Sequence, residues 1–274
     1  MTVARAAVSS HRGGRGSVAA NLGFLFTETA FLDRFAAARR AGFTAVEFPW
    51  PSGPADAVVA AAADAGVKVT QLNMAAGDLS AGERGWPNDP TRRVQWREAF
   101  AKGLALAARL DCPVVNVLAG NRVADCGLGE QRACLRDNLA WALPFARRQG
   151  RVLLLEVLND RDTPRYLLTH LDDAADLVRR AGSPALRLQF DSYHVGRLYG
   201  PESVPQRFAA VATLVGHVQV ADVPGRHEPG TGQIDFAAFF AELRRAGYRG
   251  AVAAEYVPTA GTTAGLGWLD RPWW

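Results

Sequence analysis

Three cysteines in 274 residues is a small complement. Cys112, Cys126 and Cys134 form no Cys-x-x-Cys pair and lie among apolar neighbours, which excludes a disulfide framework and points to a reducing compartment, the cytoplasm. Long apolar runs are missing as well. The longest, such as residues 57–63, fall far short of the roughly 20 residues that cross a bilayer, so neither a transmembrane helix nor a membrane partner is expected. No Gly-x-Gly-x-x-Gly follows the first strand-like run, which argues against an open dinucleotide-binding sheet. Acid is absent from the first sixteen residues, where Arg5, Arg12 and Arg15 contribute much of the net charge of +4 and the pI near 9.2. A basic balance of that origin is no signal for nucleic acid. Residues 1–17, rich in Ala, Ser, Gly and Arg, lack the apolar centre of a secretory signal and read as a disordered extension.

What is present suits one large core: 49% hydrophobic and 21% charged residues. Periodicity predicts strands near 18–23, 44–49, 67–73, 113–119, 151–158, 186–191, 215–221 and 250–257. Helical patterns over 30–41, 54–65, 92–110, 131–149, 171–181 and 236–246 fall between them, several closed by a glycine such as Gly66, Gly150 or Gly182. With no linker or composition shift, residues 18–274 are expected to form a single (β/α)₈ TIM barrel.

Four polar residues interrupt apolar strand runs near their C-terminal ends: Glu156, Asp191, Gln219 and Glu255, recurring after 35, 28 and 36 residues. That interval is one strand-plus-helix unit. On neighbouring parallel strands they converge, and unpaired carboxylates that close would repel, so the pattern fits a divalent cation with oxygen ligands. Each residue also has a bland role. The glutamates could pair with arginines from adjacent strands, Asp191 could cap the following helix, and Gln219 could satisfy buried backbone groups. His217 reads as a packed core histidine. His194 beside Asp191, Arg226 and His227 in the glycine-rich loop after the seventh strand, Glu47 at the end of the second strand and Asn73 at the end of the third face the same mouth. In the loop after the third strand, Glu83 and Arg84 could pair with each other, a contact worth little if exposed.

Several of these segments carry a resemblance: Ala-Asn21-Leu-Gly-Phe-Leu-Phe-Thr-Glu, Val-Glu47-Phe, Ala-Gly-Asp-Leu-Ser-Ala-Gly-Glu83-Arg84-Gly85, Phe-Asp191-Ser-Tyr-His194, Gly-His-Val-Gln219-Val-Ala-Asp, Glu228-Pro-Gly-Thr-Gly-Gln-Ile and Glu255-Tyr. From about Ala19 to Trp268 the chain resembles the hydroxypyruvate isomerase family, within the xylose-isomerase-like barrels that also hold ketose 3-epimerases and type IV endonucleases. Glutamine at position 219 separates it from the epimerases, which carry histidine there. The resemblance implies that Glu156, Asp191, Gln219 and Glu255 hold a divalent metal, Mg²⁺ or Mn²⁺, and that Glu156 and Glu255 form the acid/base pair. It implies a small hydroxy or oxo acid as substrate, bound by His194, Arg226, Asn73 and Glu47, with Arg226 clamping its carboxylate. A homo-oligomer is compatible with it. The segments 49–52 and 162–165 depart from the family pattern, which leaves the substrate open between hydroxypyruvate, a 2-oxo-tetronate and a free ketose. The endonuclease chemistry uses a zinc cluster held largely by histidines, of which this chain has five.

Overall fold

The computed structural model describes residues 18–51 and 53–273; the extension expected at 1–17 lies outside them. Eight parallel strands close into a barrel in sequence order: β1 (Val18–Asn21), β2 (Ala45–Phe48), β3 (Lys68–Asn73), β4 (Val114–Val117), β5 (Val152–Glu156), β6 (Leu186–Asp191), β7 (Val215–Val220) and β8 (Val252–Ala254). Pairing of Ala19 with Ala253 joins the last strand to the first. The fold is the single TIM barrel that the alternation of strand and helix patterns predicts.

The helices are α1 (Asp33–Arg40), α2 (Ala55–Ala65), α3 (Arg93–Arg109), α4 (Leu128–Arg148), α5 (Leu171–Ala181), α6 (Ser192–Tyr199), α7 (Val204–Val211) and α8 (Phe236–Arg245). None of the described helices is long and apolar enough to cross a membrane. In α5 the local logic is plain: Leu171, Ala174, Ala175 and Val178 fall on one buried stripe, Asp172 and Asp173 sit at its positive end, and Arg179 and Arg180 at its negative end. Gly182 then stops it at φ 56°, a left-handed conformation that glycine adopts without penalty.

Side chains on successive strand positions alternate between the helical layer and the barrel interior. Facing outward, Phe48 packs edge-on against Phe31 and Phe35, and Phe190 packs against Phe208 of α7 and Phe239 of α8. Burying one such ring contributes about 1.5–3 kcal/mol, so this layer carries much of the stability. The opposite parity is polar. Glu47, Gln71, Asn116, Glu156, Gln189, Asp191, His217 and Gln219 are all buried on the strands.

Two details differ from the sequence expectation. The segment between β6 and β7, expected to hold the one helix that Asp191 could cap, holds two, α6 and α7, because Pro201 and Pro205 divide it into pieces of eight residues. The strands are shorter than expected: β8 ends at Ala254, which leaves Glu255 one residue beyond it.

Candidate active site

Asp191 ends β6 and is also the N-cap of α6, so strand passes to helix with no loop between them. Its two oxygens have separate partners. Oδ1 accepts from the Tyr193 N–H at 2.8 Å, the capping role, while Oδ2 accepts from Arg226 Nη2 at 3.0 Å. The first turn of α6 swings His194 back over the strand ends. Its Nδ1 accepts from the Asn159 N–H at 3.1 Å, so in the neutral ring the proton sits on Nε2, 3.7 Å from Asp191 Oδ2. Burial holds the His194 pKa well below its ordinary value, which keeps the ring neutral and Nε2 a donor into the site.

Glu156, at the end of β5, receives the Asn116 amide on Oε2 at 2.8 Å. Burial, and then the charge of Asp191, push its pKa from 4.5 up to about 8. Asp191 and Glu255 are raised in the same direction, burial being the larger cause for each. One ligand atom from each of Glu156, Asp191 and His194 lies within 4.8 Å of the others. Glu255 stands across from them, bound through Oε2 to Arg226 Nη2. The arginine lies between the Phe24 and Tyr193 rings, 4.6 and 4.9 Å from their centroids. Burial works against its charge, but Glu255 and Asp191 outweigh that cost and raise its pKa.

Beneath this layer runs a polar network. Asn21 Nδ2 donates to Glu47 Oε1 at 2.7 Å and to Glu255 Oε1 at 2.8 Å. Gln219 Nε2 donates to the same two carboxylates at 2.6 and 2.9 Å, and its Oε1 accepts from Gln189 Nε2 at 2.7 Å. His217 Nε2 meets Glu47 Oε2 at 2.5 Å.

These contacts sort the residues singled out in the sequence. Glu156, Asp191 and His194 come together, with Glu255 and Arg226 beside them. Gln219 holds Glu47 and Glu255 through its amide and has its oxygen occupied by Gln189. Glu47, expected to touch substrate, is fully buried below the mouth with both oxygens engaged; its neighbour His217 is buried, as read, but as a hydrogen-bonded partner. Asn73 is half-buried and accepts from Gln71 at 2.7 Å. Arg226, expected to clamp a substrate carboxylate, already has two carboxylates of the protein. Glu83 pairs with Arg92 rather than Arg84. Asn21, Asn116, Asn159 and Gln189 were missed, although an amide on the inward parity of an apolar strand was the available signal for three of them.

The donor set fits a hard divalent cation. Burial raises the pKa of all three carboxyl groups, the charge of Asp191 adds to the rise at Glu156, and Asp191 and Glu156 add to that at Glu255. One guanidinium balances only part of the negative charge, and such a set of oxygen donors is of the kind that holds a divalent cation.

A closed parallel barrel with acids gathered at the C-terminal ends of its strands defines an enzyme of the TIM-barrel class. Comparison with known proteins narrows it. The sequence profile described as "Xylose isomerase-like TIM barrel" matches residues 35–271, and the chain belongs to that family. It is 40% identical to the 2-oxo-tetronate isomerase of Cupriavidus necator over 92% of this chain and 96% of that one. It is 35% identical to the hydroxypyruvate isomerase of Escherichia coli, covering 92% and 97% of the two chains. A solved structure titled AP endonuclease, family 2, from Brucella melitensis superposes with a TM-score of 0.87 at 33% identity, covering 92% of this chain and 97% of that one. The chain is thus an isomerase of the intramolecular oxidoreductase type, acting on a small molecule.

Proposed function

We propose that this enzyme isomerises a small 2-oxo-3-hydroxy acid, hydroxypyruvate to 2-hydroxy-3-oxopropanoate or the four-carbon 2-oxo-tetronate analogue, by moving a proton between adjacent carbons through an enediolate. The observation that carries the reading is the placement of Glu156 and Glu255, two buried carboxyl groups at the strand ends on either side of Asp191. Two carboxylates facing one substrate from different strands can take a proton from one atom and return one to its neighbour. One glutamate takes the carbon-bound proton and the other manages the hydroxyl proton. His194, neutral and donating through Nε2, binds a substrate oxygen. Arg226 holds Glu255 and Asp191 in place.

Glu156 and Asp191, with Glu255 beside them, would hold Mg²⁺ or Mn²⁺, and Gln219, whose oxygen already accepts from Gln189, supports the set by holding Glu255. When bound, the cation supplies Lewis-acid stabilisation of the charge that develops on adjacent substrate oxygens. A DNA-cleaving role is disfavoured, because the acidic cluster among the described residues contains a single histidine, His194.

The test is a coupled assay on hydroxypyruvate, 2-oxo-tetronates and free ketoses before and after exhaustive chelation. Turnover of a 2-oxo acid is expected, lost on chelation and restored by magnesium or manganese. Turnover of neutral ketoses alone would overturn the substrate class, and full activity in a metal-free preparation would overturn the cation.

A further inference from the structure

Recognition of an anionic substrate needs a cation that is not already neutralised by the protein, and Arg226 does not meet that condition. Arg84 does. It sits in the loop between β3 and α3, half-buried, and donates through Nη1 to two backbone carbonyls, Leu79 O at 3.0 Å and Glu83 O at 2.7 Å. Those contacts fix the plane of the guanidinium. They leave Nε and Nη2 without an acceptor among the described residues, and no carboxylate pairs with the group there. The Nε/Nη2 edge is one of the two faces on which a guanidinium receives a carboxylate with two parallel hydrogen bonds.

The neighbouring acid is withheld from Arg84. Glu83 Oε1 accepts from Trp86 Nε1 at 3.0 Å and Arg92 Nη1 at 2.8 Å, and its Oε2 accepts from the Asp78 N–H at 2.8 Å. These bonds hold the Glu83 pKa down at about 2, so the carboxylate stays ionised but committed to Arg92.

The loop is also pressed against the correct side of the barrel. Gly85, at φ 89°, lies so close to the end of β4 that an added Cβ would stand 2.6 Å from Leu118 O. Asn116 of that strand holds Glu156, and Tyr166, whose hydroxyl donates to Glu156 O at 3.3 Å, feels the Arg84 charge, as does His194. Half-burial without a counter-ion lowers the Arg84 pKa, a cost that an arriving anion would offset.

We infer that Arg84 is the specificity-determining residue for the substrate carboxylate, receiving it on the Nε/Nη2 edge from the Glu156 and His194 side of the mouth. This rests on the proposed 2-oxo acid reading and sharpens it, because it separates the carboxylate-binding arginine from the arginine that positions the catalytic acids.

The two roles predict different kinetics. In the metal-replete enzyme, Arg84→Gln should raise KM for hydroxypyruvate by ~30-fold or more with kcat changed less than about threefold, and Arg84→Lys should fall between, since lysine keeps the charge but loses the two-point contact. Arg226→Lys should instead lower kcat. Thermal melting would verify that each variant is folded, and calorimetry with D-glycerate, a non-isomerising carboxylate, would report binding without turnover. KM and D-glycerate affinity both within threefold of wild type in Arg84→Gln would overturn the assignment. So would an equal loss of D-glycerate affinity in Arg84→Gln and Arg226→Lys, as that indicates a general effect on the mouth. A wild-type enzyme that turns over no 2-oxo-3-hydroxy acid refutes the parent reading instead, and D-glycerate binding then still decides for or against Arg84; wild-type protein that binds no D-glycerate refutes both.

Discussion

On the β7–β8–β1–β2 side of the mouth, five hydrogen bonds tie Asn21, Glu47, His217, Gln219 and Glu255 into one block. On the β4–β5–β6 side, Glu156 is held by Asn116, whose own buried Oδ1 has no partner among the described residues. One half is saturated and the other keeps spare bonding capacity. A site that must both hold a group rigidly and admit a ligand divides the tasks in this way, because a fully satisfied network resists rearrangement whereas an unpaired acceptor is satisfied only when something binds.

The sharpest way to break that contrast is catalytic. Glu156→Gln and Glu255→Gln should each reduce kcat by ~10³-fold or more, each removing a proton carrier and a ligand charge together. Near-wild-type turnover in either variant would remove that half from the chemistry.

Stability should distinguish the halves next. His217→Ala leaves Oε2 of the fully buried Glu47 without a partner and opens a cavity inside the saturated network, and should cost about 3–5 kcal/mol. Asn116→Ala removes one hydrogen bond from the open half and should cost about 1–3 kcal/mol. Denaturant titrations of both proteins would measure the difference, and equal losses would erase it.

A further contrast concerns pH. In metal-free protein the Glu156 carboxyl keeps its proton up to about pH 8, whereas in the unfolded chain it releases it near 4.5. The folded state therefore binds more protons between those values, so stability should fall as pH rises from about 4.5 to 8. Melting temperatures across that window should decline less in Glu156→Gln. A manganese-loaded sample should lose the decline altogether. An unchanged slope in the variant would mean that the burial of Glu156 is not what costs stability.

The barrel was legible because its strands and helices differ in period, and Glu156, Asp191 and Glu255 because an acid is conspicuous inside an apolar run. Asn116, Gln71 and Gln189 are neutral, and an amide on the inward parity of a strand, the signal that did single out Gln219, is weaker than an acid because it does not name the partner it will meet. The partner of Glu47 is 170 residues away at His217, a separation over which no local pattern reaches. Arg226 illustrates a different limit. A loop arginine near acids suggests ligand recognition equally well whether the acids belong to a substrate or to the protein, and only the folded chain shows which ones it meets.

The direct passage from β6 into α6 at Asp191 has a consequence for how this enzyme could be altered. Other strands hand over to loops such as the one carrying Arg84, whose exposed residues 79–81 can be exchanged with less effect on the scaffold. At Asp191 one carboxylate serves backbone capping through one oxygen and the site through the other, so even Asp191→Glu would shift the cap and the charge together. Efforts to change the accepted substrate are better directed at the loops after β3 and β7. The β6 junction acts as a fixed datum from which those loops take their positions.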